Sequence, residues 1–312
     1  MSDKYQSYSH YYQTKKTRFW RAIAFTVFIC ACIFCAFSIF SNNTLDSTDY
    51  IAEIAIDGMI VDASNQAEKI NDLYDNDQVK AVIIAINSPG GTTYDSEILY
   101  DALAKVSQKK PVVAYMKNIA ASGGYIVAIA AEKIFAAKNT ITGSIGVLMQ
   151  VPNAKKLLDN IGVSITEIKS SPIKGEPNYF SNTPPEALEN LQNMVEDTNL
   201  WFQNLVKERR PNIMPENFSS LTNGSVFTGQ QAVNNKLIDA IGGQFEAKSY
   251  LIKHYKFDES INIESVSLEE SSDDFLINQI FNMFMGHFFK TTGNFWPTSR
   301  NNVDGLLSLW HS

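Results

Sequence analysis

The sequence predicts an α/β domain of parallel β/α units standing behind an apolar N-terminal segment. Two observations predict the domain: strand-like apolar runs alternate with helically spaced segments from Tyr50 onward, and glycine-rich turns follow two of those runs. A third, a charge-free stretch near the N-terminus, predicts the segment. The composition is that of a folding chain, with 45% hydrophobic and 19% charged residues among 312. At roughly 150 residues per domain, that length allows about two domains. Lys and Arg number 26 against 33 Asp and Glu, a net charge of −7. With no basic domain, nucleic acid is excluded as a partner on electrostatic grounds.

Residues 1–21 end in a basic cluster, Lys15, Lys16, Arg18 and Arg21. Ala22–Phe40 then reads AIAFTVFICACIFCAFSIF, 19 uncharged residues, about enough to cross ~30 Å of hydrocarbon at 1.5 Å per residue. No Lys or Arg follows until Lys69. This asymmetry predicts a single-pass anchor in membrane lipid, with a cytoplasmic N-terminus and an extracytoplasmic remainder. A cleaved signal peptide is the competing reading, but the run is long for one and no small-x-small cleavage site follows it. The three cysteines, Cys30, Cys32 and Cys35, all lie in this run, so neither a disulfide framework nor a cysteine-based zinc site is open to the rest of the chain.

Residues 41–48 are a polar linker, and 49–265 carry the α/β pattern. Tyr50–Ile56 alternates as a strand, with Asp57-Gly58 as a turn. Val79–Ile86 is an apolar run fit for a buried strand, followed by a turn-rich loop at Asn87–Thr93. Tyr94–Val106 has helical spacing through Ile98, Leu99, Ala102 and Val106. Pro111–Met116 reads as a strand and Ser122–Ala131 as a helix. Lys133–Ala136 and Thr140–Val147 read as strands, Asn153–Asn160 as a helix and Val163–Lys169 as a strand. Pro184–Arg209 is a long helix with apolar residues three or four apart. In the tail, 266–312, an acidic cluster precedes the apolar Phe275–Phe289, short for a spanning helix and suited to packing on the core, on another subunit or along a membrane surface.

Two turns carry the chemical signal. Asn87-Ser88-Pro89-Gly90-Gly91 allows backbone N–H groups to approach a ligand without a Cβ in the way, as an oxyanion or a phosphate would require. It lacks the Lys-Ser/Thr ending of a nucleotide-binding loop, and taken alone it reads as a structural turn. Ala120-Ala121-Ser122-Gly123-Gly124-Tyr125 opens a helix, where Ser122 is either an N-cap or a nucleophile. Together the turns supply an oxyanion donor and a nucleophile, which needs a base. His10 lies before the apolar run, and His254, His287 and His311 fall late, none in a loop suggesting a Ser-His-Asp geometry. A lysine is the other base used with serine, provided it is neutral, and burial disfavours its charge.

The ordered set SPGG, AASGGY, TGSIGV at Thr142–Val147 and KSSPIKGEP at Lys169–Pro177 resembles the short, single-catalytic-domain bacterial form of the signal peptide peptidase A family, over about Tyr50–Leu251. The resemblance implies a caseinolytic protease/crotonase-like spiral of ββα units. It implies Ser122 as nucleophile, Lys174 as general base, Gly91 and Gly123 as oxyanion-hole amides and Ser144 as the residue orienting the lysine. For Lys174 to serve, its amine is expected to be buried against apolar neighbours and Ser144. Lys169 is the alternative base, its strand-end position pointing to a structural or exposed role. Ser171 departs from the glycine or alanine of many relatives. The reaction implied is peptide hydrolysis through an acyl-enzyme, without metal or cofactor, on cleaved signal peptides at the bacterial inner membrane. A homo-oligomer is implied as well, its active sites at subunit boundaries. Two rival readings are a crotonase-like acyl-thioester enzyme, which would not need Ser122, and a catalytically idle membrane scaffold.

Overall fold

Apolar alternation places the core. In the computed structural model, residues 28–29, 49–268 and 307–309 are described. The segment from Asp49 onward forms one unit, apart from residues 1–48. Strands β1 (Tyr50–Ile60), β2 (Val79–Thr92), β3 (Val112–Ala121), β4 (Lys133–Ala136) and β5 (Ile141–Gly143) interleave with helices α1 (Ser64–Asp75), α2 (Thr93–Val106) and α3 (Gly123–Ala128). Next come α4 (Lys155–Asn160), α5 (Pro185–Arg209), α6 (Pro215–Leu221), β6 (Val226–Thr228), α7 (Gly229–Asn234), β7 (Ala240–Ile241), α8 (Gln244–Tyr255), β8 (Asn262–Ser265) and β9 (Leu307–Leu309).

The sheet runs β6-β5-β3-β2-β1-β8. β1, β2 and β3 are parallel neighbours, and β3 pairs in parallel with β4 through Val113–Met116 and with β5 through Ile119–Ala121. Residues alternate between faces along a strand. Val82, Ile84 and Ile86 therefore join the larger core with α1, α2, α3 and α5, while Ala81 and Ile83 join a smaller one under α8. The α/β class is as expected, but the sheet is mixed, because β5 pairs antiparallel with β6 and β2 with β9.

Several element boundaries differ from expectation. Asp57-Gly58 is not a turn: β1 continues to Ile60 across a register shift between Asp57 and Met59, where Gly58 takes φ 77°. Asn87–Thr93 is largely strand, because β2 stays paired with Met59 and Ile60 of β1. β5 covers only three residues of Thr140–Val147, and α3 begins at Gly123, after Ser122. Val163–Lys169 forms no strand; its β-branched alternation pairs with none of the strands among the described residues. Among the described residues no helix is long and apolar enough to cross a membrane. The expected anchor at 22–40, apart from Phe28 and Ile29, lies outside the described residues, as do the cysteines and the 275–289 run.

Candidate active site

Parallel pairing brings three motifs to one end of the sheet. β2 aligns with β3 so that Ser88 faces Ala120, and β3 aligns with β5 so that Ala121 faces Gly143. SPGG, ASGG and TGS therefore end side by side. The Ser122 N–H donates to the Gly143 carbonyl at 2.9 Å, and the Thr142 hydroxyl donates to the Ala120 carbonyl at 2.7 Å.

Ser122 is fully buried and sits at φ 54°, ψ −118°. That is a sparsely populated region for a non-glycine residue, which the surrounding structure must over-determine. Its side chain makes no capping bond to α3, so the simple N-cap reading fails. Its carbonyl accepts from the Tyr125 and Ile126 N–H groups. Tyr125 anchors the helix below, its buried hydroxyl donating to the Leu237 carbonyl at 2.7 Å.

The glycines are close-packed. A Cβ on Gly91 would lie 1.8 Å from the Ile60 carbonyl oxygen, and one on Gly124 2.7 Å from the Ser88 carbonyl oxygen. A Cβ on Gly123 would lie 2.2 Å from the Ser96 hydroxyl oxygen and 3.1 Å from the Gly91 nitrogen. The Gly91 amide is thus against Gly123, the residue after Ser122. The Ser88 hydroxyl oxygen accepts from the Gly90 N–H at 3.1 Å, holding the turn. Asp95 ties in the end of β1, accepting from the Ala63 N–H at 2.9 Å.

Ser144 is nearly buried at φ 51°, and its N–H donates to the Ser225 carbonyl at 2.8 Å. It borders a cavity of about 550 Å³ lined also by Val147, Leu148, Val195, Asn199 and Thr222. The Asn199 Oδ1 there is buried without a hydrogen-bond partner. β9 pairs antiparallel with Gly90–Thr92, setting Ser308 opposite Gly91. The sequence alone assigns no role to Ser88, which holds the turn, and does not predict this pairing. Ser88 lay within a quoted motif, but β9 has no periodicity long enough to signal a strand.

Lys174 differs from these groups in its burial. It is exposed in the turn 170–175, where its N–H donates to the Ser171 carbonyl at 3.2 Å, so the expected burial against apolar neighbours and Ser144 is not met within one chain. Lys169 is not at a strand end. It pairs with Glu176 at 2.6 Å and Glu167 at 2.8 Å, and hydrogen bonds to these carboxylates hold its pKa above the ordinary lysine value. These pairs favour its charged form, which weighs against the alternative role of base. Among the described residues the one histidine is His254 in α8, stacked on Tyr250 on the face of the sheet opposite α3. His10, His287 and His311 lie outside the described residues.

A glycine turn thus lies beside a serine at a strained helix entry. The Clp protease family model matches residues 52–145, and the model of peptidase family S49 matches residues 104–258. The protein named "Putative protease slr0021" from Synechocystis sp. is 36% identical over 201 residues, 64% of this chain and 72% of that one. "Putative signal peptide peptidase SppA" from Enterococcus faecium is 31% identical, over 70% of this chain and 67% of that one. "Protease 4" from Salmonella typhi is 32% identical, over 63% of this chain and 33% of that one. The chain belongs to peptidase family S49 and is a peptidase.

Proposed function

We propose that the protein is a membrane-anchored serine endopeptidase with a Ser122–Lys174 dyad, acting on cleaved signal peptides or other membrane-associated peptides. The observation that carries this reading is the strained, buried Ser122 beside the adjoining Gly91 and Gly123 backbones. The Lys174 amine takes the proton from the Ser122 Oγ as the oxygen attacks the scissile carbonyl carbon. The Gly91 and Gly123 N–H groups donate to the oxyanion; loss of one such donor costs about 3 kcal/mol. The C–N bond breaks, Lys174 returns the proton to the leaving amine, and the acyl group stays on Ser122. Water then attacks the ester carbonyl carbon, giving a proton to Lys174; the bond from that carbon to the Ser122 Oγ breaks, Lys174 returns the proton to the Oγ, and the acid product leaves. Ser144 orients the lysine. The antiparallel strand accepted by Gly90–Thr92 supports an extended peptide as ligand.

The base reaches the nucleophile across a subunit boundary. Supporting this, the excursion that carries Lys174 has almost no core of its own. Helix α4 buries no residue, Leu157 and Ile161 are exposed, and Ile168 is 99% exposed. An apolar surface of this kind is costly in water and suited to a second copy of the chain. The basic cluster before Ala22 supports an extracytoplasmic catalytic domain tethered where its substrates are released.

Hydrolysis of a quenched apolar peptide by wild type, Ser122→Ala and Lys174→Arg tests the reading. Both variants should be inactive, since a guanidinium cannot give up its proton to act as a base. Normal turnover by either folded variant would refute the dyad.

A further inference from the structure

We propose that Lys169, Glu176 and Asn178 form a polar clamp that fixes the turn presenting Lys174, making Lys169 a positioning residue for catalysis. The inference rests on the Ser122–Lys174 reading and deepens it.

Lys169 and Glu176 close the turn at its base, with Nζ to Oε1 at 2.6 Å. Inside it the Lys174 N–H donates to the Ser171 carbonyl and the Glu176 N–H to the Ile173 carbonyl, both at 3.2 Å. Asn178 binds the clamp from below. Its Nδ2 donates to Glu176 Oε1 at 2.9 Å and to Glu167 Oε2 at 3.2 Å, while its Oδ1 accepts from the Phe180 and Ser181 N–H groups at 2.8 Å. Two further bonds tie this base to the start of the excursion. The Ala154 N–H donates to the Tyr179 carbonyl at 2.8 Å, and the Asn153 Nδ2 to the Ser181 carbonyl at 3.1 Å.

Burial shows what orders the turn. Across residues 155–175 no side chain enters the core. The Glu176 side chain is only 3% exposed, the Lys169 side chain 19%, and Asn178 is buried. Where a segment lacks apolar anchorage, a buried, mutually satisfied polar set is what restricts its backbone. Glu176 Oε2 is buried with no hydrogen-bond partner, so this carboxylate leans on Lys169 for charge compensation. Removing that cation leaves a buried charge uncompensated and opens the turn. Misplacing a catalytic group by about 1 Å can cost ~100-fold in rate.

The test is steady-state kinetics on one peptide for Lys169→Met, Lys169→Arg, Glu176→Gln and Lys174→Ala, with melting temperature and oligomer size measured for each. In Lys169→Met, kcat should fall about 10- to 100-fold with KM within about twofold. Lys169→Arg keeps the cation and should recover to within about threefold of wild type. Glu176→Gln keeps an acceptor and serves if Lys169→Met does not fold; its loss should be smaller but again in kcat. An Arg variant as dead as the Met variant, though folded, would make Lys169 a base and overturn the clamp. Unchanged kcat in Lys169→Met or, where that variant does not fold, in Glu176→Gln, together with an inactive Lys174→Ala, would overturn the clamp alone. Turnover retained by Lys174→Ala would overturn the dyad and the clamp with it.

Discussion

Ser122 carries a backbone cost of about 1–3 kcal/mol at φ 54°, and a hydrogen bond on either side of the residue holds it there. Alanine shares that cost, so Ser122→Ala should fold normally, with a melting temperature within a few degrees of wild type. Under the proposed mechanism catalysis should vanish all the same, because the hydroxyl is the proposed nucleophile. Lys169 gives the pH behaviour. Its folded pKa is raised, so the stability of its ion pairs is fully present below the ordinary lysine pKa of about 10.4 and is lost only as pH climbs through the raised value. The clamp is therefore constant across neutral pH. Lys169→Arg keeps the cation of the clamp and should leave the pH profile of kcat/KM unchanged.

At the scale of elements, the site depends on β2 staying in register with β1 and β3 past Ile86. Gly91→Ala puts a Cβ 1.8 Å from the Ile60 carbonyl oxygen, which must push the strands apart. It should cost about 1–3 kcal/mol by overcrowding and abolish activity, read by denaturant melts and peptide hydrolysis. Gly58→Ala is the control. It has φ 77° and nothing within 4 Å, so it should lose only about 1–2 kcal/mol of backbone preference and keep its turnover. These same places show what was legible in the sequence. Val79–Ile86 read as a strand because it is continuously apolar, and Ser122 stood out through its glycine neighbours. The continuation of β2 through Pro89-Gly90-Gly91 did not, because glycine and proline normally end strands and only tertiary pairing with Met59 and Ile60 overrides that preference. Val163–Lys169 misled in the other direction. Its β-branched residues fit a strand, but the alternation is spent on an exposed face. The Lys169–Glu176–Asn178 cluster was invisible, since local spacing says nothing about which charges close a loop.

For the whole molecule, the exposed apolar excursion and the buried Ser122 belong to one account if neighbouring chains complete each other's sites. Ile168→Asp should then lower the oligomer mass seen by light scattering and reduce activity together. Mixing inactive Ser122→Ala with inactive Lys174→Ala subunits should restore partial turnover, whereas a dead mixture of demonstrably mixed oligomers would place the dyad within one chain. A reporter active only in the cytoplasm, fused after Ser312, should be silent if the catalytic domain is extracytoplasmic. The most direct measurement is mass spectrometry of the intact protein and its peptides after treatment with a serine-directed phosphonofluoridate. One adduct is expected, on Ser122, formed by the wild type and suppressed in Lys174→Ala. An adduct on another serine, or equal labelling of Ser122 without Lys174, would contradict it.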